Sequence, residues 1–138
     1  MADPNDGNAG IISEFRENAG KVGGPFEGAS LLLLHSTGAK SGEERVNPLM
    51  YNAVGDGYAI FASAAGAPRN PAWYYNLLAN PKVSIEVGTE TVNVVARVIE
   101  GEKRTAIWQP WKTAMPQFAG YEQLTDREIP VIVLEPRS

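Results

Sequence analysis

Three stretches of this chain carry side chains able to do chemistry, and the richest is Thr37-Gly38-Ala39-Lys40-Ser41-Gly42 with Arg45 shortly after it. Lys40, Ser41 and Arg45 set two cations, a hydroxyl and glycine-bounded backbone N–H groups near one another. Such a turn holds a phosphate or several carboxylates, because charge-assisted hydrogen bonds add to amide donors that need no side chain. A basic hairpin turn facing water has the same composition. The nucleotide-hydrolysing pattern G-x-x-x-x-G-K-S/T is absent and no helix follows. The second stretch runs from Ser63 to Trp73: small residues admit a flat ligand to the backbone, Pro68 and Pro71 stiffen the segment, and Trp73, Tyr74 and Tyr75 follow. That suits a planar heterocycle, or places Trp73 in the core. The third is Phe118 with Tyr121, two aromatics between Pro116 and Thr125-Asp126 that either line an apolar pocket or plug a barrel end.

Other chemistries lack parts. His35 is the sole histidine, so a Ser-His-Asp triad or a histidine-rich metal site would rest on it alone; the spacing of metal ligands is absent, and we expect no metal. The carboxylate pairs Glu43-Glu44 and Asp126-Glu128 lie in charged turns and read as solvated surface rather than a glycosidase pair.

The elements that must position these residues follow from periodicity. Ile11, Ile12, Phe15 and Ala19 fall at helical spacing over 9–19, an amphipathic helix that packs on the domain or else covers a ligand or a membrane surface. Ser30 to Ser36 reads as a strand buried on both faces, Arg45 to Ala53 as a second and Tyr58 to Ser63 as a third, the last two joined by Gly55-Asp56-Gly57. Asn70-Pro71 starts a short helix that Asn80-Pro81 stops. Lys82 to Val87 and Glu90 to Ile99 form a hairpin about Gly88-Thr89; Glu100 to Met115 is helical, with Pro110 expected to kink or interrupt it; Ile129 to Leu134 closes the fold. Six short, mostly antiparallel strands with peripheral helices predict a mainly β fold curled into a barrel, since an open sheet would expose two edges.

Composition narrows the function classes. With 138 residues and 43% of them hydrophobic, the chain makes one domain, which we place at 9–138 behind a flexible lead-in at 1–8. Zero Cys excludes disulfides, thiolate metal sites and a cysteine nucleophile. A net charge of −4 argues against nucleic acid as a partner. The apolar run Leu31 to Leu34 is too short to cross a bilayer, and the N-terminus lacks a signal-peptide layout. We expect a cytoplasmic protein, with peripheral membrane contact through the first helix as the alternative, and a monomer or homodimer.

The stretches T-G-A-K-S-G-x-x-R-V-N-P-L (Thr37 to Leu49), A-S-A-A-G-A-P-R-N-P-A-W-Y-Y-N-L-x-A-N-P (Ala62 to Pro81) and T-D-R-x-I-P-V-x-V-L-E-P (Thr125 to Pro136) resemble the deazaflavin-dependent nitroreductase family. That resemblance implies a split β-barrel related to flavin-mononucleotide (FMN)-binding barrels, and the deazaflavin coenzyme F420 as cofactor. It implies that Lys40, Ser41 and Arg45 meet the phosphate and acidic tail. Asn47, Pro48 and Leu49 would run beside the ring system, and Ala62, Ser63, Gly66, Trp73 and Asn76 would hold the deazaflavin edge.

A reduced deazaflavin brings the hard step with it, so no protein nucleophile is needed. The expected reaction is hydride transfer to an electron-poor small-molecule acceptor such as a quinone or nitroaromatic. Met50, Phe118, Tyr121 and Leu124 bound the acceptor pocket in this reading, with the Tyr121 hydroxyl orienting the acceptor or relaying a proton. Ala64-Ala65 stands where the family commonly has Lys-Gly, and Phe118 and Leu124 replace more polar aromatics; fewer hydroxyls disfavour reduction of bicyclic nitroimidazoles. Two alternatives are an FMN oxidoreductase on the same barrel and a non-catalytic protein that stores or carries F420.

Overall fold

The computed structural model describes residues 6–21, 30–63 and 66–137, and the architecture it gives is built around one strand with no solvent face. In β1 (Leu31–Thr37) Leu32 and Leu34 point to one side and Leu31 and Leu33 to the other, and all four are buried. The continuous apolar run therefore does what such runs do in doubly covered strands. Leu32 and Leu34 enter the main core with Ile60, Ile85, Val94, Ile132 and Leu134; Leu31 and Leu33 meet Phe15 of helix α1 (Asp6–Glu17).

Six further strands complete the sheet: β2 (Glu44–Met50), β3 (Asn52–Val54), β4 (Gly57–Phe61), β5 (Lys82–Val87), β6 (Glu90–Ile99) and β7 (Val131–Pro136). Their spatial order is β2-β1-β5-β6-β7-β4-β3, and every pairing is antiparallel. This order forces curvature. Laid flat, seven strands would span about 29 Å at roughly 4.8 Å per step, yet the outermost strands β2 and β3 are separated in sequence by Tyr51 alone. Two peptide steps reach at most about 7.6 Å. The two edges must lie side by side, so the sheet curls into a split barrel whose seam the chain itself crosses.

The strand expected over Arg45 to Ala53 is thus two strands, and the count is seven rather than six. Met50 pairs with Leu31 on one edge while Asn52 pairs with Ala59 on the other. Tyr51 makes the crossing: its N–H donates to the Ser30 carbonyl (3.0 Å) and its ring packs edge-on against Tyr58. Pro48 to Tyr51 is an unbroken apolar run that continues into Ala53 and Val54 with only Asn52 between, so no turn residue signals the change of partner.

Helix α1 begins at Asp6, earlier than the expected 9; residues 1–5 of the expected lead-in lie outside the described residues. Its apolar stripe faces the domain, with Phe15 fully buried and Ile11 and Ile12 packed beside it. Arg16 adds a bidentate pair with Glu86 on β5 (2.7 and 3.1 Å), and Glu86 also meets His35 on β1 at 2.5 Å. The other imidazole nitrogen lies 3.2 Å from Glu44, so the lone histidine is engaged at both nitrogens in anchoring elements together. The Glu86 carboxyl is held below its ordinary range, first by Arg16 and then by His35, against the opposing effect of burial.

Helix α2 (Ala72–Ala79) closes one end of the barrel by inserting Trp73 and Leu77, one turn apart, into the main core. Helices α3 (Gly101–Ala114) and α4 (Pro116–Gln123) cover the outer face of β4 and β7, where Ala59, Phe61, Val131 and Val133 meet Trp108, Trp111 and Phe118. Pro110 lies inside α3 without ending it. No helix among the described residues is long and apolar enough to cross a membrane.

Candidate functional site

The β1–β2 turn folds back on itself before it can present anything. Gly38 N–H donates to the Glu43 carbonyl (2.7 Å), Gly42 N–H to the Gly38 carbonyl (3.0 Å), and the Ser41 hydroxyl accepts from Glu43 N–H (3.2 Å). A β-carbon at Gly38 would collide with Ser41 Oγ, so only glycine lets the hydroxyl tuck over the turn. Lys40 is exposed at the tip, and Arg45 follows on β2, half-exposed and 3.4 Å from Glu43.

What fixes this turn relative to the rest of the molecule is one buried amide. Asn76 on α2 accepts a hydrogen bond from Ala39 N–H (2.9 Å) and its amide nitrogen reaches Ser36 Oγ at 3.5 Å. Helix α2 and the cationic turn are therefore locked together across 37 residues of sequence. Between them lies a cleft of about 840 Å³ lined by Gly38, Ala39, Lys40, Ser41, Arg45, Asn47, Pro71, Ala72, Trp73, Tyr75 and Asn76. Its volume falls in the upper part of the range of small-molecule sites, about 300–1,000 Å³. Cations and amides line one side, and an indole, a phenol and a proline the other.

Six of the residues singled out in the sequence thus share one cleft: Lys40, Ser41, Arg45, Asn47, Trp73 and Asn76. Trp73 is both core and cleft wall, and Asn76 carries a positioning job in addition to facing the cleft. Pro48 and Leu49 continue along β2 outside the cleft lining, with Leu49 packed against the main core.

Ala62, Ser63 and Gly66 form a separate bend; Ala64 and Ala65 lie outside the described residues. The bend is held from below by Arg127, a residue of the T-D-R motif to which we assigned no role from sequence. Its Nε donates to the Ala67 carbonyl (3.0 Å), Nη1 to the Ala62 carbonyl (3.0 Å) and Asn70 Oδ1 (2.7 Å), and Nη2 to the Ser63 carbonyl (2.8 Å). Burial draws the Arg127 pKa down from its ordinary value. Gly66, at φ +83°, abuts the end of α4: a β-carbon there would come within 2.8 Å of Leu124 Cβ and 3.0 Å of the Tyr121 carbonyl.

The acceptor-side residues are distributed differently from one another. Phe118 is buried among Phe61, Trp108 and Trp111, with Tyr121 edge-on to it at 5.3 Å. Tyr121 is half-buried, Leu124 is exposed, and Met50 packs between this aromatic block and α1. These two aromatics sit on a helix rather than a turn. Helix α4 is tied to α3 by Glu122, whose carboxylate accepts from Trp108 Nε1 (2.7 Å) and Lys112 Nζ (2.8 Å). Lys112 lowers the Glu122 pKa most, burial opposes it, and Trp108 adds to the lowering. No cluster of metal ligands exists among the described residues.

Comparison with known proteins agrees with this geometry. Residues 11–136 match the F420H(2)-dependent quinone reductase family. The F420H(2)-dependent quinone reductase Rv1261c of Mycobacterium tuberculosis is 39% identical over 127 residues, covering 89% of this chain and 85% of the relative. Among solved structures, an F420-H2 dependent reductase (FDR-A) is 42% identical with a TM-score of 0.70, covering 77% of this chain and 94% of that one. A second structure, described as a domain-swapped dimer, is 37% identical with a TM-score of 0.72, covering 96% of this chain and all of that one. The curled antiparallel sheet, the cationic cleft and the length of the match lead to one conclusion: the chain belongs to the F420H(2)-dependent quinone reductase family.

Proposed function

We propose that this protein binds reduced F420 in the cleft between the 38–45 turn and α2 and passes hydride to an electron-poor acceptor of the quinone class. The observation that carries this is the pairing, in one cleft of about 840 Å³, of a two-cation turn with an aromatic wall. The donor set fits an elongated coenzyme with an anionic end. Lys40, Ser41 and Arg45 take phosphate and carboxylate oxygens, because charged donors and turn amides suit anions. Asn47, Pro48 and Leu49 on β2 and Trp73 and Asn76 on α2 flank the planar part, and Ala62, Ser63 and Gly66 bring bare backbone to its edge.

When bound, the reduced deazaflavin supplies the hydride. The chain's own contribution is placement and exclusion of water. Met50, Phe118, Tyr121 and Leu124 bound the acceptor side, the rigid aromatic block behind Phe118 fixing the helix from which Tyr121 projects. The Tyr121 hydroxyl orients the acceptor's oxygen or delivers the proton that accompanies hydride. The relative solved as a domain-swapped dimer supports a homodimer here, which light scattering of the purified protein checks.

The decisive experiment is titration of the protein with F420, followed by its fluorescence, and then mixing of the reduced complex with a panel of quinones and nitroaromatics. Tight binding with rapid reoxidation is expected. Preference for FMN would replace this reading with the flavin alternative, and binding without reoxidation would make the protein a carrier. Tyr121→Phe is expected to lower turnover or acceptor affinity; if neither moves, Tyr121 loses its role.

A further inference from the structure

Arg127 uses four of the five N–H donors of a guanidinium on one short bend, and three of the acceptors are backbone carbonyls 60 to 65 residues away in sequence. This is an unusual commitment for a cation, since none of the ion pairs among the described residues gives Arg127 a carboxylate partner. The neighbouring Glu128 turns to Arg104 instead. The consequence lies in the peptide planes. Carbonyl and N–H point to opposite sides of a trans peptide, so the guanidinium, by drawing in the Ala62 carbonyl, turns the Ser63 N–H away from itself. The Ser63 carbonyl is held by both Arg127 and Gly66 N–H (2.9 Å), which leaves neither of its lone-pair directions facing outward. Without the fork, the Ala62 and Ala67 carbonyls would be free to rotate towards whatever the bend touches, and the Ser63 carbonyl would keep the Gly66 N–H alone.

We propose that Arg127 is a positioning residue: it holds the Ala62, Ser63 and Ala67 carbonyls inward and so keeps the Ser63 N–H turned outward, where it donates to the carbonyl- and nitrogen-bearing edge of the deazaflavin. This rests on the reading that F420 lies against that bend. The fork geometry does the work, so lysine, with one short-range cluster of donors, does not replace it.

The test compares F420 with the deazaflavin riboside that lacks the phosphate and tail, titrated by fluorescence into the full chain. Arg127→Met is expected to weaken both ligands by the same factor, about tenfold or more, whereas Lys40→Ala weakens F420 alone. Arg127→Lys is expected to leave most of that loss in place. Binding by Arg127→Met within twofold of the unaltered protein overturns the proposal. So does full recovery in Arg127→Lys, and so does a larger loss for F420 than for the riboside, which would mean a general loosening that reaches the anion turn. Should Arg127→Met fail to fold, Asn70→Ala removes one acceptor of the fork and is expected to weaken both ligands about two- to threefold; no change overturns the proposal. If the unaltered protein binds neither ligand, the F420 reading fails by itself. The role of Arg127 is then read from amide exchange at Gly66, whose N–H is bonded to the Ser63 carbonyl that Arg127 holds; it is expected to quicken in Arg127→Met, and the role is overturned if it does not.

Discussion

The cleft beside α2 and the aromatic block beneath α3 and α4 solve the same problem, holding side chains still, by opposite means. In the block, Phe61 stacks on Trp111 with centroids 4.7 Å apart and Phe118 meets four aromatic neighbours edge-on, so position comes from packing. In the cleft Lys40 and Ser41 are exposed, and their position comes from a few polar bonds: those within the turn and the one from Ala39 to Asn76. A packed block tolerates little change in volume. A polar clip tolerates change in volume but not the loss of an acceptor. The two ends of the proposed reaction, coenzyme grip and acceptor pocket, should therefore fail in different ways when mutated.

The largest effect is expected from Trp108→Ala, which empties a fully buried indole and orphans part of Glu122. We expect a loss of about 3–5 kcal/mol in folding stability by denaturant unfolding, with coenzyme affinity retained in whatever fraction stays folded. A matched loss of affinity in that folded fraction would break the separation between the two regions. Next come Lys40→Ala and Arg45→Ala, each expected to cost about 1.5–3 kcal/mol of F420 binding while shifting stability by under about 0.5 kcal/mol; calorimetric titration and thermal melts read the two quantities. Asn76→Ala stands between the regions in kind, since it removes a buried acceptor and should cost roughly 1–3 kcal/mol of stability. Because it frees the cationic turn, it should also weaken F420, which charge-only mutations of the turn do without destabilising the fold.

The smallest effect concerns Glu122 and pH. Its carboxyl is depressed in the folded state by Lys112 and Trp108, so its stabilising contribution is complete above the unfolded carboxylate value and is lost as pH falls through the lower folded one. The gap in stability between the unaltered protein and Glu122→Gln should accordingly be present at neutral pH and shrink on acidification below the ordinary carboxylate range. The pair is partly exposed, so the gap should stay under about 1 kcal/mol. A gap independent of pH would mean that packing of α4, rather than this ion pair, holds the block together.

Much of this was readable in the chain, and the exceptions share a cause. Local pattern sufficed for β1, whose four consecutive leucines admit only double burial, for the turns at Gly55-Asp56 and Gly88-Thr89, and for α2, bracketed by Asn70-Pro71 and Asn80-Pro81. The anion turn was legible too, because glycine, lysine, serine and arginine within a few residues act through local geometry. Arg127 was visible only as a letter in a motif. Its acceptors are backbone carbonyls, which every residue has, and so nothing in sequence marks them. Asn76 was assigned to the ligand when its amide also serves the turn, for the same reason.

The amino-acid order alone determined that this chain is mainly antiparallel β, that it carries a cationic turn and a small-residue bend, and that it has no cysteine and a single histidine. Only the tertiary structure decided that the strand through Tyr51 changes partners and closes the barrel, that the cationic turn is clipped to α2, and that Arg127 reaches back to the bend. Hydrophobic period and turn chemistry are properties of neighbours in sequence. Which edge a strand meets, and which carbonyl a buried donor finds, depend on contacts between segments dozens of residues apart, settled when the sheet curls and the core fills.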